Sequence, residues 1–378
     1  MKIAVLKEDA AKEPRVAATP ETVKKFIGKG ADVTVESGAG QASGYADKDY
    51  QEAGASIAAG AGEAAANADL VLKVRRPDAV DGLRSGAAIV ALMDPYGNEG
   101  ALQSMAEAGL SAFSLEMIPR ITRAQVMDVL SSQANLAGYQ AVIEAAAHFG
   151  RALPMMMTAA GTVPAARVFV RGAGGAGLQA SATAKRLGGV VTATDVRPAA
   201  KEQVASLGGK FVAVEDEEFK AAETAGGYAK EMSAEYRAKQ AALVAEHIAK
   251  QDIVITTALI PGRPAPKLLT REMVASMRPG SVIVDLAVER GGNVEGAVAD
   301  EIADVGGVKI IGFVNMAGRI AQSSSALLAR NIYAFVEPMI DPETKALRIN
   351  RDDEIITATM LTNQGAVVHP SFAPKPAA

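Results

Sequence analysis

The segment Arg167 to Arg197, RVFVRGAGGAGLQASATAKRLGGVVTATDVR, constrains the fold more than any other. A β-branched run leads into Gly172, Gly174 and Gly177, spaced G-x-G-x-x-G, and Leu178, Ala182 and Leu187 then line a helix that Gly188 ends. A second β-branched run, Val190 to Thr194, closes on Asp195, eighteen positions after Gly177. Strand, glycine turn, helix and second strand make a parallel crossover unit.

Each glycine has a separate task in such a unit. Gly172 permits the tight turn, Gly174 lets backbone approach a pyrophosphate, and Gly177 lets the helix pack closely on the strand. The helix N-terminus adds free N–H donors and the positive end of its dipole. Asp195 stands where an acid accepts hydrogen bonds from the adenosine ribose hydroxyls and repels a 2'-phosphate, which favours NAD(H) over NADP(H). Arg197 is the counter-signal, because an arginine there can receive a 2'-phosphate. A glycine turn without a ligand is the alternative reading.

The rest of the chain repeats the alternation of short apolar runs and Ala-rich amphipathic stretches, so both halves read as α/β. Strands are expected at Ile3 to Leu6, Val33 to Glu36, Leu70 to Val74, Ala88 to Met93 and Ala112 to Ser114. In the second half they are expected at Val168 to Val170, Val190 to Thr194, Ile253 to Thr256, Val282 to Leu286 and Val308 to Ile311. Thr19-Pro20 reads as the cap and first position of a helix. The Ala-rich stretch Ala53 to Ala68 reads as simple helix propensity. Met127, Leu130, Ala134, Ala137, Ala141 and Ala145 recur at spacings of three and four, predicting one long helix with an apolar stripe that bridges two domains. Beyond Ile311, the helix-like Ser325 to Phe335 and the segment to His369 hold no further βαβ unit and are expected to return to the first domain. The expected fold is therefore two Rossmann-like domains with parallel sheets flanking a cleft, joined by long interdomain helices. Residues 1–125 with 326–378 form the discontinuous N-terminal domain, and 126–325 form the nucleotide-binding domain. The last residues, Ala373 to Ala378, read as a disordered end.

Composition excludes several classes. The 378 residues suit about two domains at roughly 150 residues each, each long enough to bury a core. With no Cys, a disulfide scaffold, a Cys-based zinc site and a cysteine nucleophile are excluded. A formal charge of -4 leaves no electrostatic footprint for nucleic acid. The first residues lack the long apolar core of a signal peptide and read as a strand. The longest mainly apolar run, Leu153 to Val170, is interrupted by Pro154, Gly161, Pro164 and Arg167, so no membrane span and a cytoplasmic location are expected.

Other candidate sites carry paired readings. His148, His247 and His369 lack metal-ligand spacing and read as structural; no metal is expected. Lys73, Arg75 and Arg76 either hold an anionic substrate or form a solvated rim. Arg15 either binds a carboxylate or pairs with Glu8 or Glu13. Arg120, Arg123, Gln125, Asp128, Ser131 and Ser132 stand beside the long helix, where they either hold a nicotinamide and its ribose or serve as caps and interdomain hydrogen bonds. Glu223 to Lys230, with two glycines before Tyr228, is either a mobile lid or a surface loop.

MIPRITRAQVMDVLSSQANLAGY, PMMMTAAGTVPAARV, TDVRP, KEQVASLGGKF, ETAGGYAKEM, ITTALIPGRPAP, MRPGSVIVDLAVERGGN and GAVVHP closely resemble the NAD(H)-binding component of proton-translocating nicotinamide nucleotide transhydrogenase. The resemblance covers nearly the whole chain and is densest from Met117 to Asn293. It implies two Rossmann-like domains around a cleft and a homodimer at the cytoplasmic face of the bacterial inner membrane. The dimer would dock on an NADP(H)-binding component and on membrane-spanning proton-channel subunits. It also implies that Arg120, Gln125, Asp128 and Ser131 hold the nicotinamide end, with Gln125 facing the partner nucleotide. Gly175, Asp195 and Arg197 would surround the adenosine, Ala258 and Leu259 would line the pocket, and Gly227 and Tyr228 would fold over the nucleotide. The GAGGAG loop departs from the family's more apolar version but retains the central glycines.

A second resemblance, to alanine dehydrogenase, rests on RVAATP and LKVRRP and puts Arg15 and Lys73 at substrate positions. Amino-acid oxidation needs a general acid/base. Where that family's histidine is expected the chain reads Asp94-Pro95-Tyr96-Gly97-Asn98, and Glu289 replaces its aspartate, which argues against that chemistry. A third reading is a non-catalytic NAD(H) sensor. The first is preferred, because hydride transfer between two nicotinamides needs apposed rings and no protein acid, base or metal.

Overall fold

The structure, a computed structural model, describes residues 1–221 and 232–373. It divides into two compact units, residues 1–133 with 318–378 and residues 134–317. Residues 126–133 and 318–325 thus group with the first unit.

In the first unit, strands β1 (Lys2–Val5), β2 (Asp32–Glu36), β3 (Ser56–Ala58), β4 (Leu70–Arg75), β5 (Ala88–Leu92) and β6 (Ser111–Ser114) form one parallel sheet. Its order is β3-β2-β1-β4-β5-β6, the doubly wound order with a switch point between β1 and β4. Helix α1 (Pro20–Gly28) starts where Thr19-Pro20 foretells, and the Thr19 N–H donates to Thr22 Oγ1 at 2.9 Å. The Ala53 to Ala68 stretch is a correction to simple helix propensity. Gly54 turns at φ +99°, residues 56–58 pair with β2, and only Ala61–Ala65 is helical. Strand pairing in the sheet outweighs the small helix preference of alanine. The tail returns to this unit: Leu361 N–H donates to Ala112 O at 2.8 Å beside β6, and Leu328, Ile332 and Phe335 of the helix Ala321–Val336 join Phe26, Val33 and Phe113 in the core.

The second unit contains a short hairpin, β7 (Met156–Thr158) and β8 (Gly161–Val163), and a larger sheet. That sheet comprises β9 (Arg167–Arg171), β10 (Val190–Thr194), β11 (Lys210–Phe211), β12 (Ile253–Thr256), β13 (Val282–Asp285), β14 (Ile302–Val305) and β15 (Val308–Ile311). Its order is β11-β10-β9-β12-β13-β15-β14, parallel except for β14. Strands covered on both faces read as unbroken apolar runs, and Ile253–Thr256 and Val282–Asp285 are buried at every position. Val168 and Val170 pack with Ala180 and Ala184 on one face, while Phe169 packs with Val244 and Ile248 on the other.

The long helix spans Val129–His148, and the boundary between the units falls within it. The expected apolar stripe holds only in its second half. Ala141 and Ala145 are fully buried, whereas Leu130 is exposed and Met127 precedes the helix in the 3-10 turn Thr122–Met127. In the first turns Val129 and Gln133 take the buried positions instead. Among the described residues no helix is long and apolar enough to cross a membrane.

Candidate nucleotide site

The chain order reverses between β9 and β12, which makes the carboxyl ends of these strands the switch-point crevice of the second unit. The glycine loop leaves β9 there. Gly172 turns at φ +104° and its N–H donates to Thr194 O at 2.9 Å. Helix α6 (Gly175–Arg186) follows, with Gly174 as its N-cap. A Cβ on Gly177 would lie 1.7 Å from Gly172 O, so only glycine lets helix and turn close this tightly. A Cβ on Gly174 would meet nothing within 4 Å, so the chain itself does not require glycine at that position. Open backbone at a helix N-terminus, with its N–H groups free of side-chain caps, fits a pyrophosphate.

Asp195 closes the far side. Its Oδ2 accepts the Ala173 N–H at 2.7 Å, and its carboxylate takes Arg197 Nε at 2.9 Å and Nη2 at 3.0 Å. Arg197 Nη2 also reaches Ala173 O at 3.2 Å. The acid and the counter-signal arginine are therefore one unit, and a 2'-phosphate would have to separate them.

On the β12 side, Thr257 Oγ1 donates to Gly172 O at 3.0 Å, joining the next loop to the glycine turn. Ala258 follows, and Leu259 is exposed. Their loop is held by Asn293, a fully buried residue that carries no motif in the sequence. Its Oδ1 accepts the Ala258 N–H at 3.0 Å, and its Nδ2 donates to Ala258 O and Pro266 O, each at 2.9 Å. Burial raises the Asp285 carboxyl above its usual range against the N–H groups of Ala287, Val294 and Asn293 that it holds. Burial also pulls the Arg171 guanidinium down to about 10, and that side chain donates to Leu268 O. Gly138 is a second residue that sequence reasoning misses. A Cβ there would lie 2.0 Å from Ala176 O, so the long helix seats directly on the first turn of α6. Glycine inside a helix costs about 1 kcal/mol, and a close backbone approach is the usual reason to keep one.

Thus Gly172, Gly174, Gly175, Gly177, Asp195, Arg197, Ala258 and Leu259 all lie at one edge of the second unit's sheet. Gly227 and Tyr228, with the rest of the expected lid, lie outside the described residues. Arg120, Gln125, Asp128 and Ser131 belong to the first unit. There Arg120 and Gln125 are exposed, and Asp128 caps the long helix, its carboxylate accepting the Ser131 N–H at 2.9 Å and the Ser131 hydroxyl at 2.5 Å. Arg123 is pinned to Asp353 at 2.5 and 3.0 Å.

The first unit's switch point is occupied by the protein's own charges. Arg15 donates through Nε and Nη2 to Glu13, each at 2.7 Å, and through Nη1 to Gln133 Oε1 at 2.8 Å. Arg75 Nε meets the same Glu13 at 2.9 Å, and Lys73 lies 3.2 Å from Glu8. Burial raises Glu13, but the bonds and charge of Arg15 and Arg75 outweigh it and hold the carboxyl at about 2. Arg76 donates to Met93 O and Asn98 Oδ1, fixing the loop that carries Asp94 at φ +46°. Arg15 therefore pairs with Glu13, and Lys73, Arg75 and Arg76 hold protein groups.

His247 lies between Thr192 Oγ1 at 2.8 Å and Gln251 Nε2 at 3.1 Å, edge-on to Phe169, and burial lowers its pKa. His148 lies 3.9 Å from Glu144, and His369 accepts the Ser371 N–H.

This fold and this site define a doubly wound α/β nucleotide-binding protein. Residues 4–137 and 141–370 match the family models described as alanine dehydrogenase/PNT N-terminal domain and C-terminal domain. The chain is 52% identical to an NAD(P) transhydrogenase alpha subunit of Rhodospirillum rubrum, over 98% of this chain and 99% of that one. A transhydrogenase structure from Sinorhizobium meliloti is 61% identical, with a TM-score of 0.89 over 97% of this chain and 100% of that one. An L-alanine dehydrogenase structure is 25% identical, with a TM-score of 0.82 over 98% of each chain. The chain belongs to the alanine dehydrogenase/PNT family and, within it, to the NAD(P) transhydrogenase alpha subunits, which are oxidoreductases.

Proposed function

We propose that this chain binds NAD(H) at the carboxyl edge of the second unit's sheet and exchanges hydride with NADP(H) held by a partner. What carries the NAD(H) reading is the bond from Ala173 N–H to Asp195, which sets an acid beside the glycine loop where the adenosine ribose belongs. The nicotinamide ring supplies the hydride, C4 to C4, so no proton is moved by the protein. In this reading Gly172, Gly174, Gly175 and Gly177 bind the pyrophosphate, and Asp195 with Arg197 binds the ribose and discriminates against a 2'-phosphate. Ala258 and Leu259 line the pocket, and Gly227 and Tyr228 cover it. Arg120, Gln125, Asp128 and Ser131 orient the ring, with Gln125 toward the partner nucleotide. Exposed Val126 and Leu130 in the same segment suit a face that meets another protein.

The family resemblance supports the rest of the assembly. The chain is a homodimer on the cytoplasmic face of the bacterial inner membrane, docked on an NADP(H)-binding domain, and the proton path belongs to membrane-spanning subunits. Residues 1–125 with 326–378 and residues 126–325 are its two functional domains.

Amino-acid dehydrogenation is disfavoured because an incoming carboxylate would have to displace Glu13 from Arg15 and Glu8 from Lys73, both buried pairs. The test is NADH oxidation by the purified chain in two cuvettes, one with pyruvate and ammonia, the other with NADP+ and a recombinant NADP(H)-binding partner domain. Turnover is expected only with the partner. Turnover with pyruvate and ammonia would replace this reading with a dehydrogenase.

A further inference from the structure

The ring-orienting segment is a junction that does not hold its own shape. A 3-10 turn, Thr122–Met127, meets the α-helix Val129–His148 at Asp128, whose ψ of 89° is not helical. Ala124, Met127 and Val129 are buried in the first unit's core, while Gln125, Val126, Leu130 and Ser131 face outward. Apolar contact alone fixes such a ribbon's depth but is non-directional, so it does not fix rotation about the junction.

Asn331 supplies the direction. It projects from the helix Ala321–Val336, almost two hundred residues further along the chain, and is 8% exposed. Its Nδ2 donates to Val126 O at 2.8 Å, and its Oδ1 accepts the Ser132 hydroxyl at 2.7 Å. One side chain thus joins both ends of the stretch carrying Asp128 and Ser131. Gln133, next to Ser132, is fixed separately between Arg15 Nη1 at 2.8 Å and Ser324 O at 3.1 Å.

We propose that Asn331 is a positioning residue for hydride transfer, acting through Val126 and Ser132 to set how the segment 125–131 is presented. This rests on the function proposed above. Asn331 touches no nucleotide in this scheme, so its loss should degrade the geometry of transfer while nucleotide affinity is kept. Misplacement by about 1 Å far from the chemistry can cost on the order of 100-fold in rate.

The experiment compares wild type, Asn331→Leu, Ser132→Ala and Thr359→Val. Thr359, whose buried hydroxyl donates to Ile355 O and Ile356 O of its own helix, reports general loss of a buried hydrogen bond in the same unit. Three quantities are read: the rate of NADH-to-NADP+ hydride transfer with the partner domain, the NADH dissociation constant, and amide hydrogen exchange of residues 126–132 in the nucleotide-free chain. Asn331→Leu and Ser132→Ala should each slow transfer about tenfold or more, leave NADH affinity within about twofold, and speed exchange at 127–131. Thr359→Val should change none of these. If Asn331→Leu fails to fold, Ser132→Ala decides alone. Unchanged transfer and exchange in the variants, or affinity falling in step with rate, overturns the positioning role. No transfer by wild type with its partner overturns the proposed function and this inference with it, and the wild-type arm tells the two failures apart.

Discussion

Asp195 Oδ2 accepts the backbone N–H of Ala173 at 2.7 Å, so the acid that ends β10 also holds the turn that follows β9. The same carboxylate neutralises Arg197. Asp195→Ala removes an acceptor for a ribose hydroxyl, releases the loop and frees the arginine at once. Losing a charged acceptor costs about 1.5–3 kcal/mol, roughly 10- to 100-fold in affinity. NADH binding should weaken by that factor while NADPH binding weakens less or improves. Titration of both nucleotides followed by calorimetry checks this, and equal losses for the two would remove Asp195 and Arg197 from discrimination.

Gly174 and Gly177 make a matched pair for separating binding from folding. Gly177→Ala would put a methyl group 1.7 Å from Gly172 O and should lower the thermal midpoint, with affinity lost alongside. Gly174→Ala meets open space at φ -80°, so stability should hold while NADH affinity falls, because the methyl group stands where the pyrophosphate approaches. Differential scanning calorimetry with and without NADH reads both. A Gly174→Ala chain that binds NADH normally would move the pyrophosphate elsewhere.

Local features of the fold were legible in the sequence, and distant partnerships were not. The core strands showed as β-branched runs because both faces of a parallel sheet are buried, and the glycine cradle showed because its spacing, helix and terminal acid all lie within thirty-one residues. Residues 56–58 stayed hidden because what makes them a strand is pairing with β2 rather than their own propensity. Asn293 and Asn331 stayed hidden for a different reason. Each acts by hydrogen-bonding backbone far along the chain, at Ala258 and Val126, and an asparagine gives no periodic signal of that. Arg15 stood between two readings until geometry paired it with Glu13.

That pair predicts an acid limb in the stability curve. Glu13 sits at about 2 against an ordinary 4.5, so its contribution is complete above about 4.5 and drains as pH falls from there toward 2. Glu13→Gln leaves Arg15 and Arg75 without their buried carboxylate and should cost about 3 kcal/mol at neutral pH. The gap in thermal midpoint between wild type and Glu13→Gln should be constant from pH 7 to about 5 and narrow below 4.5. Glu8, raised by burial despite Lys73, titrates in the opposite sense in both proteins and cancels from the difference. A gap that stays constant to pH 2.5 would mean that Glu13 is not ionised in the folded chain.

Asn293→Ala is the prediction that ties the β12 loop to nucleotide binding. The side chain is fully buried and makes three bonds, to Ala258 N–H, Ala258 O and Pro266 O. Truncation leaves those backbone groups unsatisfied next to a small cavity, a loss of about 2–4 kcal/mol. Local consequences should exceed the global one. Thr257 still anchors the loop to Gly172 O at 3.0 Å, so the glycine turn should keep its shape while residues 258–266 loosen. The expected result is amide exchange that quickens at 258–268 and stays slow at 172–178, with NADH affinity reduced about tenfold. Affinity unchanged while the loop exchanges freely would show that Ala258 and Leu259 do not line the nucleotide pocket.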